Sequence, residues 1–312
     1  GKESKTIMSI IEFNDRVAIV TGAGGGLGRS HALELARRGV KVVVNDLGGS
    51  VSGVGGSATM AENVVEEIRE LGGTAMANGA NVTNPEEVQD MVSSVIEKWG
   101  HIDILVNNAG ILRDKSFTKM DINDFRLVIE VHLMGSVICT KAVWDHMKER
   151  KYGRIVMTTS SSGNYGNFGQ TNYGAAKTGV VGLMNTLCLE GAKYDIRVNA
   201  LSPTAATRMT ESLMPQEALD LLTVDSVTAG LIPLVCDGAP NRLIMCAGAG
   251  GYAATKVFET SGIHLAPNEQ TAENVMINLD KIRDSINQEE YTSGGQQTMK
   301  FVGNAAKNLG IN

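Results

Sequence analysis

The run Val17–Thr21, followed directly by Gly22-Ala-Gly-Gly-Gly-Leu-Gly28, limits what this chain can fold into more than any other stretch. An apolar run, a glycine turn and an amphipathic pattern that stops at Arg38-Gly39 read as strand, tight turn and helix. Glycines at such a turn let backbone N–H groups approach an anion, and the positive end of the following helix favours its charge. Gly22, Gly26, Leu27 and Gly28 are therefore candidates for holding a dinucleotide pyrophosphate. Eighteen residues after Gly28, the next apolar run, Lys41–Asp46, ends in a carboxylate. Asp46 stands where an acid accepts from the hydroxyls of an adenosine ribose, and its charge repels a 2′-phosphate, which implies NAD as cofactor. The plainer alternative is a turn Asp capping the glycine-rich loop Leu47–Gly56.

The rhythm then repeats. Ser57 opens an amphipathic helix ending at Gly72, and Thr74–Ala80 reads as a third strand that brings Asn81 and Val82 toward the adenine. Asn84-Pro85-Glu86-Glu87 is a capped helix start, and its helix runs to Trp99-Gly100. Ile102–Val106 is a fourth strand delivering Asn107, Asn108, Ala109 and Gly110, of which the last three are further cofactor candidates. Apolar positions from Phe125 to Met147 fit a long helix with Gly135 inside it. Arg154–Thr159, Arg197–Ala200 and Leu243–Cys246 complete a set of seven strands, with a helix from Tyr173 to about Tyr194 between the fifth and sixth. Such alternation through short loops predicts an α/β fold with one doubly wound parallel sheet, covered on both faces. Ligands of such sheets lie at the carboxyl ends of strands, where strand order reverses. The glycine turn, Asp46, Asn107–Gly110 and Ser160 all fall at such ends and form one expected site.

Thirteen positions separate Ser160 from Tyr173, and four separate Tyr173 from Lys177. Four residues is about one helical turn, so Tyr173 and Lys177 share a helix face. An unperturbed phenol titrates near pH ~10, too high for acid–base work at neutral pH, and a neighbouring ammonium favours the phenolate. Ser160 can hold a reacting oxygen while Tyr173 exchanges a proton with it, which is the equipment for interconverting an alcohol and a ketone beside a hydride carrier. A Tyr-x3-Lys pair alone is common on amphipathic helices; the glycine turn at the other end of the chain gives it meaning.

The remaining features set bounds. The net charge of -6 argues against nucleic acid or an anionic membrane as partner. No run of eighteen apolar residues occurs, so no membrane span is expected. Cys139, Cys188, Cys236 and Cys246 lie in apolar stretches without C-x-x-C spacing and read as buried free thiols of a reducing compartment. The five histidines lack metal-ligand spacing, so no metal is expected. Met8 reads as a natural start, which makes residues 1–7 an added remnant or the cut end of a longer chain. The expected division is an N-terminal extension over 1–10, the sheet domain over 11–251, and a partly helical C-terminal extension over 252–312. That extension either covers the substrate or contacts another subunit. In it Val275, Leu279, Ile282 and Ile286 form an apolar stripe that predicts an amphipathic helix.

Thr21-Gly22-x3-Gly26-x-Gly28, Asn107-Asn108-Ala109-Gly110, Ser160 and Tyr173-x3-Lys177 together resemble the short-chain dehydrogenase/reductase family over about residues 11–251. The resemblance implies a Rossmann fold, a nicotinamide cofactor, and a Lys177 that binds the nicotinamide ribose while lowering the pKa of Tyr173. Within the family, Asn45–Gly49, Gly110–Asp114, Tyr165–Gln170 and Arg208–Glu211 look like the (3R)-hydroxyacyl-CoA dehydrogenases of peroxisomal multifunctional enzymes type 2 and their free-standing bacterial relatives. This implies NAD-dependent interconversion of a (3R)-hydroxyacyl-CoA and its 3-ketoacyl-CoA by a homodimer or homotetramer. It also implies a cytoplasmic location, or a peroxisomal one for a piece of a multifunctional chain. A hydroxysteroid or sterol-side-chain-CoA substrate is the nearest alternative. A non-catalytic NAD-binding regulatory or scaffold protein is the alternative from another class, although such proteins typically lose the Tyr or the Lys. Two places depart from the family pattern. His132 stands where many members carry an Asn of a proton relay, and is either a relay member or packing; Pro203-Thr204 replaces the common Pro-Gly. The flexible apolar side chains of Met209–Leu222 suit an acyl chain or a sterol, and Arg113 and Arg208 are candidates for the CoA phosphates or plain surface residues.

Overall fold

The structure, a computed structural model, describes residues 10–47, 56–205 and 214–311. Most of the loop Leu47–Gly56, the segment Arg208–Leu213 and residues 1–9 lie outside the described residues. Strands β1 (Val17–Val20), β2 (Lys41–Asn45), β3 (Ala75–Asn78), β4 (Ile104–Asn107), β5 (Gly153–Thr158), β6 (Ile196–Pro203), β7 (Ile244–Gly248) and β8 (Gly251–Thr255) form one sheet in the order β3-β2-β1-β4-β5-β6-β7-β8. The pairings from β3 through β7 are parallel. Strand order reverses between β1 and β4, and the carboxyl ends of the central strands open the crevice there.

Burial on both faces explains the near-continuous Val/Ile/Leu runs of the central strands. On β1, Ala18 and Val20 face a core layer with α1 (Gly26–Arg37) and α2 (Gly56–Glu70), whereas Val17 and Ile19 face the other layer. That second layer holds α3 (Pro85–Trp99), α5 (Gly135–Arg150) and α7 (Thr171–Gly191), which bury Val88, Val143 and Val180 among others. Helix α3 starts as its sequence prescribes: the Asn84 side chain accepts from Glu86 N and Glu87 N, and Pro85 opens the first turn.

The structure departs from the sequence reading in several places. The long helix expected over Phe125–Met147 is α4 (Ile122–Val128), one widened π turn over Ile129–Met134, and then α5. Such turns distort the side-chain register locally and recur at functional sites. The sheet has eight strands rather than seven, because Ala249 (φ 51°) and Gly250 (φ 78°) both adopt the left-handed region and turn the chain back as a hairpin. A short helix α8 (Gln216–Leu219) precedes α9 (Val224–Val235), which packs on the α1 layer. Among the four cysteines, all free, Cys139 and Cys188 are buried as expected but Cys236 and Cys246 only partly so. The two most apolar helical stretches, Ile122–Arg150 and Gln216–Val235, reach a mean hydropathy of 1.5 and 1.6, enough by composition to cross a membrane; here both contribute buried residues to the sheet's core layers.

The chain divides into two compact units after Ala254. In the second, β9 (Phe258–Glu259) pairs antiparallel with β10 (Glu289–Glu290). The apolar stripe predicted as one helix is split between α10 (Ala272–Ile277) and α11 (Leu279–Arg283), with Ile286 beyond both. Asn278 interrupts it, its side-chain amide donating back to the Asn274 carbonyl at 2.7 Å. A further helix, α12 (Gly294–Leu309), begins with a capping box between Ser293 and Gln296, a signal hidden in the sequence by the two glycines that follow the serine.

Candidate active site

The glycine turn sits at the end of β1, beside the switch point. Gly22 is left-handed, and a side chain on Gly28 would place its Cβ 2.2 Å from the Gly22 carbonyl oxygen, so neither tolerates a larger residue without movement. Gly25 starts α1 with no side-chain cap, and the first turn carries no acid. The first N–H groups of α1 thus remain available to an anion, and the cradle fits a pyrophosphate. Gly26 and Leu27 lie in that first turn.

Thr21, not singled out beyond the glycine pattern, laces this turn to the next loop. Its Oγ1 accepts from Asn108 N at 2.9 Å and Ala109 N at 3.0 Å, and Asn108 Nδ2 donates to the Gly22 carbonyl at 3.1 Å. Asn108 therefore braces the cradle with its side chain. Asp46 is half-buried just past β2, and its Oδ2 accepts from Gly24 N at 2.6 Å. One carboxylate oxygen fixes the turn, and the other is left for a ligand. Asn81 turns inward: its Oδ1 accepts from Thr83 N at 3.0 Å and Thr83 Oγ1 at 2.8 Å. Val82, Ala109, Thr21, Gly135 and Ser136 line a narrow cleft next to it.

Ser160 ends the β5 segment and caps α6 (Ser161–Tyr165), accepting from Ser162 N at 3.1 Å. Its hydroxyl also lies near enough to the Tyr173 phenol to favour the ionised form. On α7, the Lys177 Nζ lies 5.4 Å from the Tyr173 ring centroid and donates to the Thr158 carbonyl at 2.7 Å. Spacing alone gave no sign of Asn172, which is fully buried. It accepts from Tyr173 N at 2.7 Å and donates to the Arg113 carbonyl at 3.0 Å, tying the catalytic turn to the loop after β4.

The electrostatics correct one expectation. Burial pushes Lys177 down to about 7. Tyr173 moves up, chiefly through burial; the nearby Ser160 hydroxyl opposes this and the charge of Asp114 adds to it. The spacing predicts instead that an ammonium pulls the phenol down. Burial sets the direction, and the buried Lys177 is itself close to losing its charge at neutral pH. Tyr173 therefore keeps its proton at neutral pH in the protein alone.

His132 occupies the widened turn between α4 and α5. Burial, then the charge of Lys177, lowers it to about 3, so it is neutral at any working pH. Its Nε2 lies 2.7 Å from the Ile111 carbonyl, to which it donates in one tautomer, and 3.0 Å from Ile111 N, from which it accepts in the other. The ring lies so close to Gly110 that a Cβ there would stand 2.2 Å from His132 Cε1. Nδ1 of His132 is buried without a partner among the described residues, as is Oδ1 of Asp114. Both flank Tyr173, His132 through ring contact and Asp114 through its charge. Buried unpaired polar atoms mark places for water or substrate.

Arg113, on the same loop, is exposed and has Nε 4.0 Å from Asp124 Oδ1. Arg208, Met209 and the rest of the stretch to Leu213 lie outside the described residues. Among the described residues, no group of three or more His, Cys, Asp or Glu is placed to hold a metal. A cavity of about 300 Å³ between α1 and α9, lined by Glu34, Arg37, Asp225 and Thr228, is separate from the trio.

A doubly wound sheet with a glycine cradle at its switch point, and a Ser–Tyr–Lys trio at the neighbouring strand ends, defines a dinucleotide-dependent oxidoreductase. Residues 16–218 match the short chain dehydrogenase family, and the chain belongs to that family. A short-chain type dehydrogenase/reductase of Mycobacterium tuberculosis is 48% identical over 250 residues, 80% of this chain and 87% of that protein. Peroxisomal multifunctional enzyme A of Dictyostelium discoideum is 44% identical over 294 residues, 94% of this chain but 65% of that enzyme. The structure of full-length peroxisomal multifunctional enzyme type 2 from Drosophila melanogaster superimposes with a TM-score of 0.79 at 33% identity, covering 95% of this chain and 50% of that one. The chain thus spans only part of the multifunctional enzymes it matches.

Proposed function

We propose that this protein interconverts a (3R)-hydroxyacyl-CoA and the corresponding 3-ketoacyl-CoA with NAD. The observation that carries the reading is Tyr173 with Ser160 near its phenol and Lys177 Nζ 5.4 Å from its ring centroid, in a fold that also presents the cradle and Asp46. Similarity to peroxisomal multifunctional enzymes supports the choice of substrate. A nicotinamide dinucleotide, when bound, supplies or takes up the hydride. Gly22–Gly28 and the start of α1 would hold its pyrophosphate, the free oxygen of Asp46 its adenosine ribose, and Lys177 its nicotinamide ribose. Ser160 holds the substrate oxygen. Tyr173, protonated at neutral pH, donates to the ketone oxygen in reduction and receives the alcohol proton in oxidation. The unpartnered Nδ1 of His132 offers a hydrogen-bonding position to a water that carries the proton onward.

The test is to follow reduced-cofactor absorbance with NAD and a panel of thioesters, free acids and hydroxysteroids. (3R)-hydroxyacyl-CoA thioesters should exceed their (3S) epimers and the free acids by at least about tenfold in kcat/KM, roughly 1.4 kcal/mol of transition-state binding. A free hydroxysteroid turned over at higher kcat/KM than every thioester would overturn the substrate assignment.

A further inference from the structure

The reading of a CoA thioester leaves open what holds its nucleotide end. The pantetheine arm places that end well away from the reacting carbon, so its site belongs at the rim of the pocket. Two segments lie beside Tyr173: residues 112–120 after β4, and residues 166–172, which link α6 to the first turn of α7. They are stitched together. Lys115 N donates to the Gly169 carbonyl at 3.0 Å, Gln170 Nε2 to Asp114 Oδ2 at 3.1 Å, and Asn172 Nδ2 to the Arg113 carbonyl at 3.0 Å. Gln170 is buried and also accepts from Ser162 Oγ at 2.6 Å, which ties the rim to the helix that Ser160 caps.

The outer side of this braced rim is apolar and cationic. Phe168 is 88% exposed, Phe117 69% and Leu112 48%. Single exposed apolar residues are ordinary, but several large ones on two joined segments are not. Arg113, Lys115 and Lys119 are exposed on the first of the two segments. The acids of the first segment and just beyond it are engaged: Asp114 with Gln170, Asp121 capping α4 by accepting from Asn123 N, and Asp124 beside Arg113. Lys115 and Lys119 have no acidic partner among the described residues. A net charge of -6 makes this cationic rim a local exception.

Resting on the acyl-CoA reading above, we infer that this rim binds the nucleotide end of the thioester. Lys115 and Lys119 meet the phosphates, and Phe168 offers its face to the adenine. Ammonium groups serve as point charges for phosphate, and an aromatic face stacks any base. Only a ligand with both an anionic and a flat apolar part uses both features of the rim.

Two measurements test this on the full chain. In the first, coenzyme A binding is followed by calorimetry. Wild type should bind it, and Lys115→Glu/Lys119→Glu should weaken binding about tenfold or more, an effect that shrinks as salt rises. Phe168→Ala should weaken it with little salt dependence. In the second, kcat/KM is compared for one 3-hydroxyacyl group carried on CoA and on N-acetylcysteamine, which lacks the nucleotide. The ratio favouring CoA should fall by about the same tenfold in the lysine variant, chiefly through KM. Equal coenzyme A binding by wild type and the lysine variant, or an unchanged ratio, overturns the rim. If wild type binds coenzyme A through these residues yet oxidises neither thioester, the rim stands and the proposed reaction falls.

Discussion

The imidazole of His132 meets the ring of Tyr173 edge-on, with centroids 5.2 Å apart and planes at 87°. The contact puts a neutral histidine, with one bare nitrogen, beside the proton-exchanging phenol. His132→Asn should retain much of the rate, since an amide can also order a relay water. His132→Leu should lose at least about tenfold in kcat with an intact melting transition, as expected for loss of part of a proton path. Leu at no cost would make His132 a packing residue. Gly110→Ala should resemble His132→Leu, because its Cβ drives into the imidazole.

Tyr173→Phe should abolish turnover while leaving NAD binding nearly unchanged, since only the acid–base group is removed. More than a few per cent of residual activity would refute the mechanism. The same variant reads the phenol directly: the phenolate absorbance difference between wild type and Tyr173→Phe, protein alone, should be absent at pH 7–9 and emerge only above the usual tyrosine range of about 10. A signal at pH 8 would mean that Lys177 outweighs burial after all. Lys177→Ala should damage both turnover and cofactor binding, because it serves phenol and ribose.

Cofactor choice should rest on Asp46. Charge-assisted hydrogen bonds contribute about 1.5–3 kcal/mol, and repulsion of a 2′-phosphate adds to the discrimination, so NAD should exceed NADP by at least ~100-fold in kcat/KM. Asp46→Ala should narrow the gap. It should also loosen the glycine turn, since Oδ2 holds Gly24 N, so part of the loss should appear with both cofactors. Equal use of NAD and NADP by the wild type would refute the assignment.

Acid should unfold the protein through its buried histidines. His31 is fully buried with Nδ1 2.8 Å from Thr228 Oγ1, and burial lowers it to about 3, as it lowers His132. Both pKa values lie below the ordinary histidine value of about 6.5, so the unfolded chain takes up protons that the native state refuses. Their effect vanishes above pH ~6.5 and destabilises increasingly as pH falls toward 3, by up to about 1.4 kcal/mol per pH unit for each. Urea unfolding at pH 7, 5.5 and 4.5 should show a shallower pH slope for His31→Gln than for wild type, whatever the absolute stabilities. Identical slopes would mean that His31 does not carry this linkage.

The sequence by itself determined the alternation of strands and helices, the cradle, Asp46 at the end of β2, and a Tyr and a Lys on one helix face. These features follow from local chemistry: a period of two or 3.6, a proline after an asparagine cap, glycines where the chain must turn. Tertiary structure decided what depends on residues far apart in the chain. Thr21 finds Asn108 across 87 positions, and Asn172 holds Arg113 across 59. The left-handed pair Ala249–Gly250 adds an eighth strand beyond the seven read from the sequence. The direction of the Tyr173 shift was decided the same way. Spacing supplies the ammonium, but only packing fixes how much water the phenol and the ammonium lose, and that desolvation sets the direction of both shifts.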